Sequence, residues 1–379
     1  MDTHNRVLSI QSHVCSGYVG NRAATFPLQL LGYDVDVVNT VQFSNHSGYG
    51  RLKGTRTDAD QLGSILLGLE ENGLLRMGRL LTGYVPGAAA LMVVADLARK
   101  LRARNPELIY LLDPVMGDDN KIYVAPECVP IYKDLLDCAT IITPNWFEVE
   151  LLTGVKLDSP AAIQEALRIL HVQHGVPHVV ISSLLPTPEI SASLPPSTRG
   201  DLQPNGVSSS SPYAGDTQLV VCSSLLPEAE RSGGSVSIVH VGNVKRIRGY
   251  FSGVGDLFSA LVLAHFPSPS DPPPQEPDTP LSRATALATS SVQGILVSTH
   301  HYVQSLPEAE RPETDQELDL KDAERRVMRM RARELRLIQG KDYILNPGQE
   351  GKGEGRMIRW DGFWNSEEGE RAGRFSQGG

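Results

Sequence analysis

The sequence predicts an α/β fold: one central, mostly parallel sheet with helices on both faces. Three observations carry this. Strand-like and helix-like segments alternate along the chain. Several strand candidates, Glu107–Asp113 (ELIYLLD), Ala139–Thr143 (ATIIT) and His178–Ser182 (HVVIS), are almost wholly apolar, as strands covered on both faces must be. And 379 residues at 40% hydrophobic content supply a sizeable core, which excludes a wholly disordered chain.

The elements follow in order. Arg6–Ile10 (RVLSI) is a short β-rich run, and Gly20–Leu31 has helical spacing. Pro27 should kink that helix or set its start, and Gly32 ends it. Asp34–Val41 alternates as a strand; Asp58–Asn72 reads as a helix starting at Asp58 and ending near Gly73. Arg79–Gly83 is a strand edge. Ala88–Asn105 is a helix whose basic last turn suits its dipole. Ala161–His174 is a helix between the strands at 139–143 and 178–182. Thr217–Ser224 and Ser235–Val241 alternate as a hairpin, and Phe251–Phe266 runs from Gly-rich sequence into an apolar helix. Leu281–Leu306 and the amphipathic Leu318–Ile338 are the last helices.

Composition shifts elsewhere. Leu184–Ser211 is rich in Ser, Pro and Gly and has no period, so a disordered insertion is placed at 184–214. A second, proline-rich one spans 267–280. One domain then covers 1–347, and 348–379 is a polar, Gly-rich, flexible tail.

The formal net charge of −9 offers no general basic field for nucleic acid or anionic membrane. The four cysteines form no CxxC pair, which argues against a zinc site or a disulfide framework and for a reducing compartment. The N-terminus has no apolar signal core, and no run of 18 apolar residues exists. A cytoplasmic protein is expected.

Five segments carry candidate chemistry. Gly253-Val254-Gly255-Asp256 is a Gly-x-Gly turn feeding a helix, which aims free N–H groups at one point and attracts an anion. Asp256 there could accept a proton from an attacking hydroxyl, or simply cap the helix. Thr143–Glu148 (TPNWFE) follows a buried strand; Asn145 and Glu148 suit hydrated Mg²⁺, or a helix start. Leu111–Asp118 (LLDPVMGD) puts Asp113 at a strand's carboxyl end and Asp118 on the following loop, or supplies two turn aspartates. SIQSHVCSGYVGN places Ser12 at another strand end, before Gly17 and Gly20. VQFSNHSGYG offers Phe43 beside Ser44, Asn45, His46 and Ser47, which suits a flat ring with polar edges, or is a polar loop. Tyr84 in LTGY could add a ring contact. A parallel sheet gathers such strand ends along one edge. There is no Walker A motif and no protein-kinase HRD or DFG set.

The stretches SIQSHVCSGYVGNRAATFPLQLLG, VNTVQFSNHSGYG, LTGY, DPVMGD, ITPNWFEVELLTG, VVISS and GVGDLFSA resemble those of pyridoxal kinases, in the ribokinase-like superfamily, from about Arg6 to about Pro347 apart from the two insertions. The resemblance implies an α/β/α sandwich and ATP-dependent phosphorylation of the 5′-hydroxymethyl group of pyridoxal, pyridoxine and pyridoxamine. It places Asp256 on the catalytic base and Gly253 and Gly255 on the anion hole. Ser12 and Ser47 fall on positions for the ring's polar edge, Phe43 and Tyr84 on its faces. Asp113, Asn145 and Glu148 fall on positions serving Mg²⁺ and the ATP phosphates. Thr143 and Ser182 fall near a monovalent cation, K⁺ or Na⁺, and Ser182 and Ser183 near the nucleotide. Asp118 and Tyr123 lie on a loop over the phosphates; Ile247 and Gly249 fall near adenine. It implies a cytosolic homodimer.

Val254 stands where relatives often carry a hydroxyl residue, which removes a phosphate hydrogen bond. Two alternatives stand beside this reading: a kinase of another hydroxymethyl heterocycle such as the thiamine-precursor pyrimidine, and a retired kinase that binds nucleotide or vitamin as a regulatory module. Cys15 reads as a small structural residue near the ring site, His300-His301 as a helix surface pair, and Arg325–Arg336 as a solvated helix face. Trp360 with Phe363-Trp364 could form a docking motif, though plain mobile tail is the better reading of that stretch.

Overall fold

The computed structural model describes residues 4–199, 213–231, 234–272, 274–348 and 356–365. In chain order the elements are β1 (Arg6–Val14), α1 (Asn21–Leu30), β2 (Asp34–Phe43), β3 (Gly54–Arg56), α2 (Ala59–Glu71), β4 (Arg79–Thr82), α3 (Ala88–Arg104), β5 (Ile109–Leu112), β6 (Gly117–Asp118) and β7 (Lys121–Ile122). Then come α4 (Cys128–Leu135), β8 (Ile141–Ile142), α5 (Trp146–Thr153), α6 (Pro160–Arg168), β9 (His178–Leu184), α7 (Pro188–Ser193), α8 (Pro196–Arg199), β10 (Tyr213–Leu225), β11 (Ser237–Ile247), α9 (Val254–His265), α10 (Pro280–Ser305), α11 (Gln316–Lys321), α12 (Ala323–Ala332), α13 (Lys341–Leu345) and β12 (Ile358–Arg359).

Ten strands form one sheet in the order β12-β11-β10-β9-β8-β5-β4-β1-β2-β3. β2, β1, β4, β5, β8 and β9 are mutually parallel. β10 is antiparallel to β9 and β11 to β10, so β11 again runs with the parallel set. The apolar strands alternate between two cores, as the period of two demands. Leu8, Ile10, Leu80, Tyr110, Leu112, Val179 and Ile181 face one layer with α2 to α7. Val7, Leu81, Ile109, Leu111 and Val180 face the other, with α1, α9 and α10. This is the expected α/β/α sandwich. No described helix is long and apolar enough to cross a membrane.

Helix starts match the chemistry that marks them. Asp58 caps α2 through a reciprocal box with Gln61, and Thr279 does the same for α10 with Ser282. Pro27 lies inside α1 rather than at its start.

Four expectations need correction. First, over 188–199 the insertion is not irregular: α7 and α8 form there because Ile190 and Leu194 are fully buried against the sheet's first core. Residues 200–212 lie outside the described part. Second, Leu318–Ile338 is not one helix. Asp322 adopts an extended backbone and turns its carboxylate onto the N–H groups of Glu324 and Arg325, which ends α11 and caps α12. Its arginines are not a solvated face: Arg325 and Arg329 both pair with buried Asp319, and Arg326 Nε donates to Gly48 O at 2.7 Å.

Third, the described part of the tail is docked on its own chain. β12 pairs with β11, Trp360 and Phe363 are buried, and the indole N–H groups of Trp360 and Trp364 donate to Ser193 O and Ser237 O. Those apolar rings cover the first core instead of a partner. Fourth, His300 is buried, so only His301 lies on the surface of α10.

Candidate functional site

The carboxyl ends of the parallel strands deliver the site. Ser12 lies near the end of β1, beside a bulge at Gln11/Ser12, and Phe43 ends β2. Tyr84 follows β4, Asp113 follows β5, Thr143 follows β8, Ser182 and Ser183 lie late in β9, and Ile247 ends β11. The N-terminus of α1 is pinned to this edge by a buried polar knot. Asn21 Nδ2 donates to Val38 O at 3.0 Å and to Asn39 Oδ1 at 2.9 Å, while its Oδ1 accepts from Ser9 Oγ at 2.8 Å.

α9 brings the reacting end to the same place. Gly253 precedes it with φ +79°, and a Cβ there would lie 1.8 Å from Tyr18 O, so only glycine fits. Gly255 is different. It needs no unusual backbone, and a Cβ would meet nothing within 4 Å. Nothing within the described fold requires glycine at 255. Asp256 follows in the helix's first turn, half-buried, with the backbone N–H of Gly20 placed to favour its charged form. Burial pushes its carboxyl above the usual range.

Asp113 is 5% exposed and accepts from Ser259 Oγ at 3.1 Å; Ser259 Oγ is also 2.9 Å from Thr143 Oγ1. Burial, and then the charge of Asp256, raise the Asp113 carboxyl. Glu148 and Asn145 form a reciprocal capping box at the start of α5, so the helix-start reading of TPNWFE is correct. Glu148 does more than cap. Its Oε2 accepts from Asn145 N–H, and its Oε1 accepts from Met116 N–H at 2.9 Å and Gly117 N–H at 3.4 Å. Asn145 Nδ2 donates to Gly117 O at 2.8 Å, so α5 and the β6–β7 hairpin are one unit. Burial, and then the Asp113 charge, raise Glu148. Among the described residues no lysine, arginine or histidine pairs with Asp113, Glu148 or Asp256.

Among the described residues no three acidic, histidine or cysteine side chains stand grouped around one metal position; what favours a cationic ligand here is carboxylates that repel one another with no described cation to answer them. Glu148 spends three lone pairs on backbone donors, so Asp113 is the freer ligand. Asp118 and Tyr123 sit on and beside the β6–β7 hairpin, both exposed. Ser183 takes φ +61°, a strained conformation for a serine, and such strain clusters at ligand sites. Gly249 has φ +112° and lies against the Arg333 guanidinium.

On the other flank, Ser47 opens a 3₁₀ turn, Ser47–Tyr49, and is exposed. Phe43 is half-buried under Arg56 at 5.7 Å, and Tyr84 is half-buried with its carbonyl accepting from Thr40 Oγ1. Cys15 is exposed beside Gln42. Three participants escaped the sequence reading, Ser259, Ser252 and Glu334, and His46 entered it only as a polar neighbour of Phe43. Ser259 bridges Asp113 and Thr143; it lies three residues after Asp256, on one helix face, and that spacing could have exposed it. His46, Ser252 and Glu334 form a contact that no local spacing announces.

Comparison with known proteins identifies the family. The phosphomethylpyrimidine kinase family model matches residues 78–188. A pyridoxal kinase of Arabidopsis thaliana is 36% identical over 350 residues, covering 92% of this chain and 94% of the relative. One of Homo sapiens is 39% identical over 273 residues, covering 70% and 78%. The solved pyridoxal kinase from Leishmania donovani in complex with ADP and pyridoxine superposes with a TM-score of 0.70 at 30% identity, covering 94% of this chain and 99% of that one. The chain belongs to the pyridoxal kinase family, and its fold is the ribokinase-like α/β/α sandwich.

Proposed function

We propose that this chain transfers the γ-phosphoryl group of ATP to the 5′-hydroxymethyl oxygen of pyridoxal, pyridoxine and pyridoxamine. The observation that carries it is Asp256. Its carboxylate stands in the first turn of α9, beside a glycine the fold does not need, at the edge where the parallel strands end.

Phosphoryl transfer passes through a loose transition state, so it needs in-line positioning and charge stabilisation more than covalent help. Asp256 accepts the hydroxyl proton late in the step. Gly20 N–H favours the charged form of that carboxylate, and the free amides at the start of α9, at Gly253 and Gly255, meet the charge growing on the transferred group. Ser12 and Ser47 hold the ring's polar edge, with Phe43 and Tyr84 against its faces. Asp118 and Tyr123 cover the phosphates, Ser182 and Ser183 line the nucleotide, and Ile247 and Gly249 flank adenine. A divalent cation, Mg²⁺, arriving with the nucleotide supplies the neutralisation of phosphate charge, and Asp113, Asn145 and Glu148 are the groups that would serve it. Thr143 and Ser182, at neighbouring strand ends, would serve a monovalent cation, K⁺ or Na⁺. The protein works as a cytoplasmic homodimer.

The test is phosphorylation of pyridoxal by MgATP, comparing the parent with Asp256→Asn. Formation of the 5′-phosphate by the parent, and its loss in a variant that still binds both ligands, supports the reading. A parent that binds both and transfers nothing makes it a retired kinase, with Val254 the first suspect. The second reading, a kinase of hydroxymethylpyrimidine, has only the name of the family model matching residues 78–188 behind it, and the pyridoxal kinase relatives do not favour it. That match stops short of both the loop after β2 and the α9 turn, and the two substrates assayed side by side decide.

A further inference from the structure

The segment after α12 reaches back to the loop that follows β2, and Glu334 is the point of contact. Its Oε1 accepts from Tyr49 Oη–H at 2.9 Å and lies 3.1 Å from His46 Nε2. Its Oε2 accepts from the Tyr18 backbone N–H at 3.2 Å. The tautomer of His46 follows from its other nitrogen. Gly48 N–H can only donate, and it points at His46 Nδ1 from 3.1 Å. Nδ1 is therefore the acceptor, and Nε2 carries the proton given to Glu334. Ser252 Oγ also stands 3.1 Å from Nδ1, and Ser252 immediately precedes Gly253.

The packing leaves no slack. A Cβ on Gly17 would lie 2.6 Å from Glu334 Oε1, and one on Gly48 would lie 2.7 Å from the His46 ring. Arg326 Nε, on α12, holds Gly48 O from a second direction. A contact that merely tied down a surface loop would not need a buried imidazole bonded at both nitrogens. Nor would it need to join three separate strand-end segments, around Tyr18, His46 and Ser252.

We propose that Glu334 is a positioning residue for the ring-binding loop. Through His46, Tyr49 and Tyr18 it fixes Phe43 and Ser47 relative to the Gly253–Asp256 turn, and so sets affinity for the ring substrate but not for the nucleotide. This rests on the reading that the loop after β2 takes the vitamin.

The test is calorimetric titration of pyridoxal and, separately, of ADP into the parent, Glu334→Gln and Glu334→Ala, with steady-state kinetics alongside. Losing the bonds to His46, Tyr49 and Tyr18 should weaken pyridoxal binding and raise its KM about tenfold in Glu334→Ala. The Kd for ADP and the KM for MgATP should stay within about twofold, and Glu334→Gln, which keeps the accepting oxygen, within about threefold for pyridoxal. The proposal is overturned if Glu334→Ala binds pyridoxal like the parent, or loses both ligands together with its melting temperature. If Glu334→Ala does not fold, Tyr49→Phe removes one of the three contacts: a rise in the pyridoxal Kd alone supports the proposal, and no change overturns it. A parent that binds no pyridoxal defeats both this and the underlying substrate reading; a parent that binds it, with unaffected variants, defeats this alone.

Discussion

Two groups of carboxylates meet at the carboxyl ends of the parallel strands, and the protein treats them in opposite ways. Glu334 is closed by an imidazole, a phenol and an amide, all from the chain itself. Asp113, Glu148 and Asp256 have hydrogen bonds but no ion pair among the described residues, and burial raises all three. The first group is finished within the fold. The second has no cation among the described residues to answer it, so burial makes it hold protons until a cationic ligand takes their place. A buried, unpaired carboxylate is costly to folding, so its retention marks function better than an exposed one does.

The largest expected effect breaks that second group at its centre. Asp256→Asn keeps shape and removes the proton acceptor, so kcat should fall by roughly 10²–10⁴ while pyridoxal and ADP still bind. An equal loss of binding, seen by calorimetry, would make Asp256 a holding group instead. Chelation of divalent metal should abolish turnover of the parent, and added MgADP should raise its melting temperature.

The two glycines sharpen the comparison next. Gly253→Ala meets Tyr18 O and a left-handed backbone, a cost of roughly 1–3 kcal/mol from the backbone alone. Gly255→Ala meets nothing in the protein. We expect Gly253→Ala to lower the melting temperature. We expect Gly255→Ala to leave it unchanged yet cut kcat/KM for MgATP by about 10-fold or more, as loss of oxyanion-hole contacts does. A fully active Gly255→Ala would remove the ligand from that turn.

Asp113 gives a smaller effect, with a definite sign. Its folded pKa lies above the ordinary 3.8, so the folded state holds a proton that the unfolded state has released. Stability therefore falls as pH rises from about 4 through the raised folded value. Asp113→Asn cannot ionise, and at pH 8 it should melt a few degrees above the parent, by about 2–4 °C for each kcal/mol. MgADP should narrow that gap. A variant that melts lower at pH 8 would mean that Asp113 already has a cationic partner.

What was legible in the sequence follows the same divide. The second group lies on strand ends and helix starts, and strand ends are visible as apolar runs that stop at Asp113, Thr143 or Ser182. Gly253–Asp256 announces itself through turn chemistry. The first group joins residues nearly 300 positions apart, and nothing local to ELRLIQ points to His46. The same limit explains the tail: Trp360 and Phe363 looked like exposed anchors because the strand and helices they cover are distant in sequence. It explains α12 as well. Amphipathic spacing ran across Asp322, and only the competing side-chain cap breaks the helix there.

The smallest effect lies at the opposite edge of the sheet, where β9 begins, and its sign is reversed. His171 is buried, with Nδ1 2.6 Å from Val176 O and Nε2 2.7 Å from Ser223 Oγ. The Val176 carbonyl can only accept, so Nδ1 carries the proton. The Ser223 hydroxyl donates to Ser237 Oγ at 2.7 Å, so Nε2 has a polar contact there but no donated proton. Burial depresses His171, and His178 beside it, to about 4 from the ordinary 6.5. Between those values the unfolded chain binds protons that the folded one refuses. The stability these histidines provide is complete above about 6.5 and drains away as pH falls toward 4. Urea midpoints at pH 7.5 and 5.0 should differ for the parent, and differ less for His171→Gln and His178→Gln. Because the acidic centre loses stability in the other direction, Asp113→Asn should shift the pH of maximum stability upward. The histidine variants should shift it downward. A common shift in all three would show that one site, not two opposed ones, sets the pH profile.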